Sequence, residues 1–173
     1  MDGLLFDSER IVQRSWEIAG DELGIPHMGD VIYHTLGMNR AGRNEYFRKY
    51  IREDFPFEEF GKLTRDNFWK IVDKEGLPLK KGAKELLAYG KSQGYKMAVA
   101  TSSSREYAMG NLIRAGIDSY FDSVVCGDMV KKAKPDPEIY QKACESLGIQ
   151  PEYCMAFEDA PGGILSAHQA GMH

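Results

Sequence analysis

Tyr95-Lys96-Met97-Ala98-Val99-Ala100-Thr101-Ser102-Ser103-Ser104 is the stretch whose reading decides the fold. A short apolar run breaks abruptly into four hydroxyl residues. Before it, Ala83, Leu86, Leu87 and Tyr89 suit a helix that stops at Gly94; after it, a helix is predicted over 105–115, stopping at Gly116. The same unit then recurs. Tyr120-Phe121-Asp122-Ser123-Val124-Val125-Cys126 predicts a second strand, 137–147 a helix stopping at Gly148, and Tyr153-Cys154-Met155-Ala156-Phe157 a third strand with Glu158-Asp159 at its end. Short continuous apolar strands alternating with helices imply an α/β fold, with a parallel sheet covered on both faces.

Upstream the pattern differs. Met1-Asp2-Gly3-Leu4-Leu5-Phe6-Asp7-Ser8-Glu9 reads as the end of a strand and the turn after it, with Ser8 placed to cap the next helix. Val12, Trp16, Ala19 and Leu23 recur at helical spacing up to Gly24-Ile25-Pro26. Further helices are predicted at 28–36, 41–52 and 57–74, with no convincing strand as far as Gly76. Tyr46, Phe47, Tyr50, Phe55, Phe57, Phe60, Phe68 and Trp69 are expected in the core of this small helical bundle.

The bulk composition narrows the function. The chain has 173 residues, 43% of them hydrophobic, which is a globular share and not a disordered one. Its formal net charge of -4, with no basic run longer than Lys131-Lys132-Ala133-Lys134, gives it no footprint for nucleic acid. No stretch approaches the roughly 18 apolar residues of a membrane span. Cys126, Cys144 and Cys154 match no zinc spacing and read as reduced, packed thiols. These features describe a soluble, cytoplasmic protein with neither nucleic acid nor membrane as partner.

Ligands of open parallel sheets bind at the carboxyl ends of the strands. Three polar clusters fall at such ends, and Asp2-Gly3 makes a fourth at the end of the presumed first strand. Thr101-Ser102-Ser103 offers a hydroxyl and backbone N–H groups suited to phosphate. Glu158-Asp159 offers hard oxygen ligands suited to Mg²⁺. Lys134, before Pro135-Asp136-Pro137, offers a cation on a stiff loop. Each has an ordinary reading as a cap, a solvated turn or an exposed lysine. Arriving together at successive strand ends, they describe a site for a phosphate and a hard metal ion.

Asp2-Gly3-Leu4-Leu5-Phe6-Asp7-Ser8-Glu9 resembles the first motif of the haloacid dehalogenase superfamily, in its beta-phosphoglucomutase-like branch. Val99-Ala100-Thr101-Ser102-Ser103 resembles the second motif, Lys134-Pro135-Asp136-Pro137-Glu138-Ile139-Tyr140 the third, and Phe157-Glu158-Asp159-Ala160-Pro161-Gly162-Gly163-Ile164 the fourth. The resemblance implies a Rossmann-like parallel sheet core at 1–10 and 77–173, with an α-helical cap inserted at 11–76. It further implies a Mg²⁺-dependent phosphatase acting on a small phosphorylated metabolite through an aspartyl-phosphate. By the same resemblance Asp2 is the general acid/base and also a metal ligand through its carbonyl. Thr101 holds the phosphoryl group with the backbone of Ser102 and Ser103, Lys134 neutralises it, and Glu158 and Asp159 complete the Mg²⁺ site. Asn39 and Arg40 resemble a cap loop that reaches a substrate.

Two departures qualify that reading. The motif's nucleophilic Asp belongs two residues before Asp2, ahead of Met1, and its strand belongs further upstream; at the other end the family continues into another strand beyond His173. The expectation is a chain truncated at both ends, with a catalytically inactive phosphate- or partner-binding remnant as the alternative. The mutases of this branch carry a His five residues after the Asp that is Asp7 here, and Val12 stands at that position. This favours a phosphatase, with a phosphosugar mutase as the further alternative.

Overall fold

A computed structural model describes residues 1–35 and 40–173, with Arg40 and Ala41 as backbone alone. The chain divides into two compact units, Ser8–Gly76 and Met1–Asp7 with Leu77–His173.

The first of these is helical: α1 (Ser8–Glu22), α2 (Met28–Thr35), α3 (Arg40–Tyr50) and α4 (Phe57–Glu75). Helix α1 packs against α2 and α4. Its buried face is Ile11, Ser15, Trp16, Ala19 and Gly20, while Val12 and Leu23 sit part-buried at its margin. The face is thus turned slightly from the predicted Val12–Leu23 stripe. Gly20 explains the turn: a Cβ there would lie 2.8 Å from the Met28 Cβ, so α2 closes on this side of α1. Trp16 meets Phe47 and Phe60 edge-on, with ring centres 5.5 and 5.6 Å away, and Phe55 completes the aromatic core. Tyr50 and Trp69 depart from expectation, being 60% and 43% exposed. At the α2 N-terminus, Glu17 accepts the Gly29 N–H at 2.7 Å.

The second unit holds the sheet. Strands β1 (Ala98–Ala100) and β2 (Ser123–Val125) pair in parallel, with Val99 opposite Val124. Asp122 starts the ladder: its N–H donates to the Met97 carbonyl at 2.7 Å and its carboxylate accepts the Met97 N–H at 2.8 Å. The remaining helices are α5 (Ala83–Ser92), α6 (Arg105–Arg114), α7 (Glu138–Leu147) and α8 (Pro161–Gln169). Helix α7 lies on both strands, burying Ile139, Tyr140 and Ala143 with Val125.

The strands are shorter than predicted, for identifiable reasons. Tyr95 is taken by the end of α5, its N–H donating to the Gly90 carbonyl at 3.0 Å. Tyr120 closes a 3-10 turn over Asp118–Tyr120. The segment 153–157 forms no regular strand: it follows a 3-10 turn at Pro151–Tyr153, and its extended part pairs only at Cys154 and Ala156 with His173 among the described residues. A strand is made by its neighbour's backbone, and apolar sequence alone cannot supply one. Cys126 and Cys144 are buried and Cys154 partly so, all as free thiols. Burial, with the adjoining Cys154 thiol, pushes Cys144 up to about 11. No helix among the described residues is long and apolar enough to cross a membrane.

Candidate active site

The hydroxyl loop begins where β1 ends. The Thr101 N–H still donates to the Val125 carbonyl at 3.0 Å, so the residue is an extension of the ladder and is buried. Its hydroxyl oxygen accepts the Ser103 N–H at 3.2 Å, which folds the loop back on itself. The Gly127 N–H ties down the Ser103 carbonyl at 2.9 Å, and a Cβ on Gly127 would collide with the Ser102 carbonyl. Ser102 is exposed. Ser104 serves structure: its hydroxyl caps α6 by accepting the Tyr107 N–H.

Asp2 stands opposite this loop in a tight turn. The N–H groups of Leu4, Leu5 and Phe6 all converge on the Met1 carbonyl, at 3.3, 2.8 and 3.3 Å. The Ser103 hydroxyl donates to one carboxylate oxygen of Asp2 at 3.0 Å, and the Tyr107 hydroxyl donates to the other at 2.9 Å. Burial, reinforced by the Asp2 charge, pushes the Tyr107 hydroxyl well above the usual phenol range, so it remains a donor. Gly3 has φ +74°, and a Cβ there would land on the Asp159 carboxylate. Only glycine satisfies both the left-handed turn and the close approach.

Lys134 is tucked under the end of β1. Its ammonium donates to the Ala100 carbonyl at 3.2 Å, lies 4.8 Å from the Tyr140 ring centre and pairs directly with Glu158. The Tyr140 hydroxyl donates to the same Glu158 oxygen at 2.9 Å. Burial opposes ionisation of Glu158, but the Lys134 ammonium and the Tyr140 hydroxyl outweigh it and hold the carboxyl below its usual range. A Cβ on Gly163 would strike that carboxylate, so the small residue at the start of α8 is what lets it in. The Lys134 loop is anchored by Glu138. Its carboxylate accepts the N–H groups of Lys131 and Lys132, both within 3.1 Å, and pairs with Lys142 at 3.0 Å. Those N–H groups and Lys142 pull Glu138 down to about 2.

Direct contacts link the clusters: the Ser103 hydroxyl reaches Asp2, the Thr101 hydroxyl holds the Ser103 N–H, Gly3 lies against the Asp159 carboxylate, and the Lys134 ammonium bridges the end of β1 and Glu158. The structure thus brings together Asp2, Thr101, Ser103, Lys134, Glu158 and Asp159. Asn39 lies outside the described residues, and Arg40 opens α3 as backbone alone. Tyr107, Glu138 and the role of Tyr140 were missed from sequence. Tyr107 had one available signal, its position in the first turn of a helix that starts at the hydroxyl loop.

Among the described residues, no three or more His, Cys, Asp or Glu side chains are grouped so that they alone could hold a metal ion. Asp159 has an exposed carboxylate resting against Gly3, while Glu158 is engaged by Lys134. Mg²⁺ keeps several waters and takes one or two carboxylates plus substrate oxygens, so this sparse oxygen set fits it.

A family model described as haloacid dehalogenase-like hydrolase matches residues 1–173, the whole chain. The chain belongs to that family of hydrolases. It is 33% identical over 172 residues to the phosphorylated carbohydrates phosphatase of Thermotoga maritima, covering 99% of the chain and 79% of that relative. It is 32% identical over 175 residues to YhcW of Bacillus subtilis, provisionally named a phosphatase, covering 99% and 77%. A crystal structure from Thermotoga maritima, provisionally named a beta-phosphoglucomutase, superposes with a TM-score of 0.82 at 31% identity, covering 99% of the chain and 79% of that protein. These matches establish the α/β, Rossmann-like class of the sheet unit.

Proposed function

We propose that this hydrolase is a Mg²⁺-dependent phosphatase of small phosphorylated carbohydrates, working through an aspartyl-phosphate. The observation that carries the reading is the convergence of a carboxylate, a cation and a hydroxyl loop at the end of β1: Asp2 on Ser103, Lys134 on the Ala100 carbonyl, and Asp159 on Gly3. In this reading the Thr101 hydroxyl and the backbone N–H groups of Ser102 and Ser103 bind the phosphoryl oxygens. Lys134 offsets their charge. Asp2 donates a proton to the departing sugar oxygen and then takes one from the attacking water. The nucleophile is an Asp two residues ahead of Asp2, a position that precedes Met1. Asp159, Glu158 and the Asp2 carbonyl would hold Mg²⁺, which supplies screening of the phosphate charge. The substrate class is taken from the name of the Thermotoga relative. Val12 packs part-buried against the aromatic cluster of Trp16, an apolar position and not a proton carrier, which favours phosphatase over mutase. The same reading treats the Ser8–Gly76 unit as the cap.

The test is phosphate release from a panel of phosphorylated carbohydrates and from p-nitrophenyl phosphate, with Mg²⁺ or with chelator. The protein is expressed from its own gene with whatever reading frame precedes Met1. Mg²⁺-dependent turnover, abolished by Asp159→Ala with loss of calorimetric Mg²⁺ binding, is the expected result. A folded protein carrying an Asp two residues ahead of Asp2 that is inert on the whole panel refutes the proposal. Phosphate binding without turnover would favour a non-catalytic binding protein instead.

A further inference from the structure

Asp2 has one feature that the four motifs do not contain. Its two carboxylate oxygens are held by two different hydroxyls, Ser103 at 3.0 Å and Tyr107 at 2.9 Å. Resting on the phosphatase reading above, we propose that Tyr107 is a positioning residue that fixes the Asp2 carboxylate for proton transfer to the leaving group.

The torsion that turns a carboxylate is broad, so a single hydrogen bond leaves the group free to swing about it. Two donors on different oxygens fix its plane. Proton transfer requires approach to about 2.6–3.2 Å, and a misplacement of about 1 Å can cost on the order of a hundredfold in rate. Both donors are themselves fixed. Tyr107 lies in the first turn of α6, where Ser104 accepts its N–H and the Asn111 side chain, 4% exposed, donates to its carbonyl at 2.9 Å. Ser103 is held by the Thr101 hydroxyl through its N–H and by Gly127 through its carbonyl. A continuous chain thus runs from Tyr107 through Asp2 and Ser103 to Thr101. The acid/base group and the phosphate loop are oriented as one unit.

Tyr107→Phe removes one hydroxyl and keeps the ring. Ser103→Ala removes the other and keeps the backbone N–H. Both are made in the protein expressed as above and compared on a sugar phosphate and on p-nitrophenyl phosphate. An alkoxide leaving group needs the proton from Asp2; nitrophenolate departs without it. Tyr107→Phe is expected to lower kcat/KM on the sugar phosphate by about tenfold to a hundredfold and on the aryl ester by less than about threefold. Ser103→Ala should follow the same pattern, and Tyr95→Phe, at an exposed phenol, should change neither. An equal loss on both esters, or no loss, overturns the proposal. A second readout does not depend on turnover. The ¹³Cγ resonance of Asp2, assigned with Asp2→Asn, should move in Tyr107→Phe and stay in Tyr95→Phe; an unmoved resonance overturns the clamp itself. If the wild type is inert on every ester, the phosphatase reading falls and takes the catalytic role of Tyr107 with it, while the resonance still decides whether the clamp exists.

Discussion

Replacing Lys134 by Met asks whether the ammonium is what holds Glu158. Methionine keeps the stem and removes the charge. Lost are the ion pair, the N–H to the Ala100 carbonyl at 3.2 Å and the approach to the Tyr140 hydroxyl at 3.3 Å. Glu158 keeps the Tyr140 hydroxyl at 2.9 Å and the N–H groups of Asp159 and Ala160 at 3.2 and 3.4 Å. Removing one partner of a fully buried pair costs about 3–5 kcal/mol. Here the two side chains retain 13% and 11% exposure and three donors stay, so about 2–3 kcal/mol is expected. In a chain of this size that lowers Tm by roughly 5–10 °C. The pH dependence has a definite sign. The folded carboxyl of Glu158 is held below its ordinary value of 4.5, so the pair's stabilisation is present above that value and lost as pH falls through the folded one. The difference between wild type and variant should persist at neutral pH and shrink in acid. Glu158→Gln and the double variant complete a cycle whose coupling should be about 1–3 kcal/mol at neutral pH. Urea unfolding at neutral and acid pH measures all four proteins. A neutral-pH coupling under about 0.5 kcal/mol, or one that does not shrink in acid, refutes the assignment of Lys134 as the group that holds Glu158.

Three further outcomes follow from other parts of the molecule. Gly3→Ala forces a Cβ into a left-handed turn and onto Asp159. It should cost about 1–2 kcal/mol and weaken calorimetric Mg²⁺ binding at least about tenfold; unchanged stability and binding would count against the Gly3–Asp159 contact. The amide resonances of Lys131 and Lys132 should titrate with the Glu138 carboxyl, whose midpoint lies near about 2. That anchor is present above the ordinary carboxyl value of 4.5 and is lost as pH falls toward about 2; Glu138→Gln should abolish the transition, and its persistence would exclude Glu138 as the cause. Trp16→Ala empties the centre of the aromatic cluster and should cost about 3–5 kcal/mol with loss of near-ultraviolet dichroism, whereas Trp69→Ala, at a 43% exposed ring, should cost much less.

The sequence by itself determined the fold class and the chemical types in the site. Alternation of apolar runs with glycine-stopped helices is a local, periodic signal, so β1, β2 and the three helices α5–α7 were legible without any partner, whereas α8 was not predicted. The motifs around Thr101, Lys134 and Glu158-Asp159 were legible because each is a short contiguous run. Strand length was not legible, because a ladder belongs to two segments and the extended part of 153–157 finds a backbone ladder partner only in His173 among the described residues. The hand that holds each functional group was equally hidden. Asp2 and Tyr107 are 105 residues apart, and Lys134 and Glu158 are 24 apart. No periodicity encodes contacts of that span; they exist only once the chain has closed on itself. The identity of the ionisable groups was therefore written in the chain. Tertiary structure alone decided that Lys134 would spend its charge on Glu158 and the Ala100 carbonyl, and that Asp2 would be gripped by two hydroxyls, because burial and distance are properties of the packed molecule.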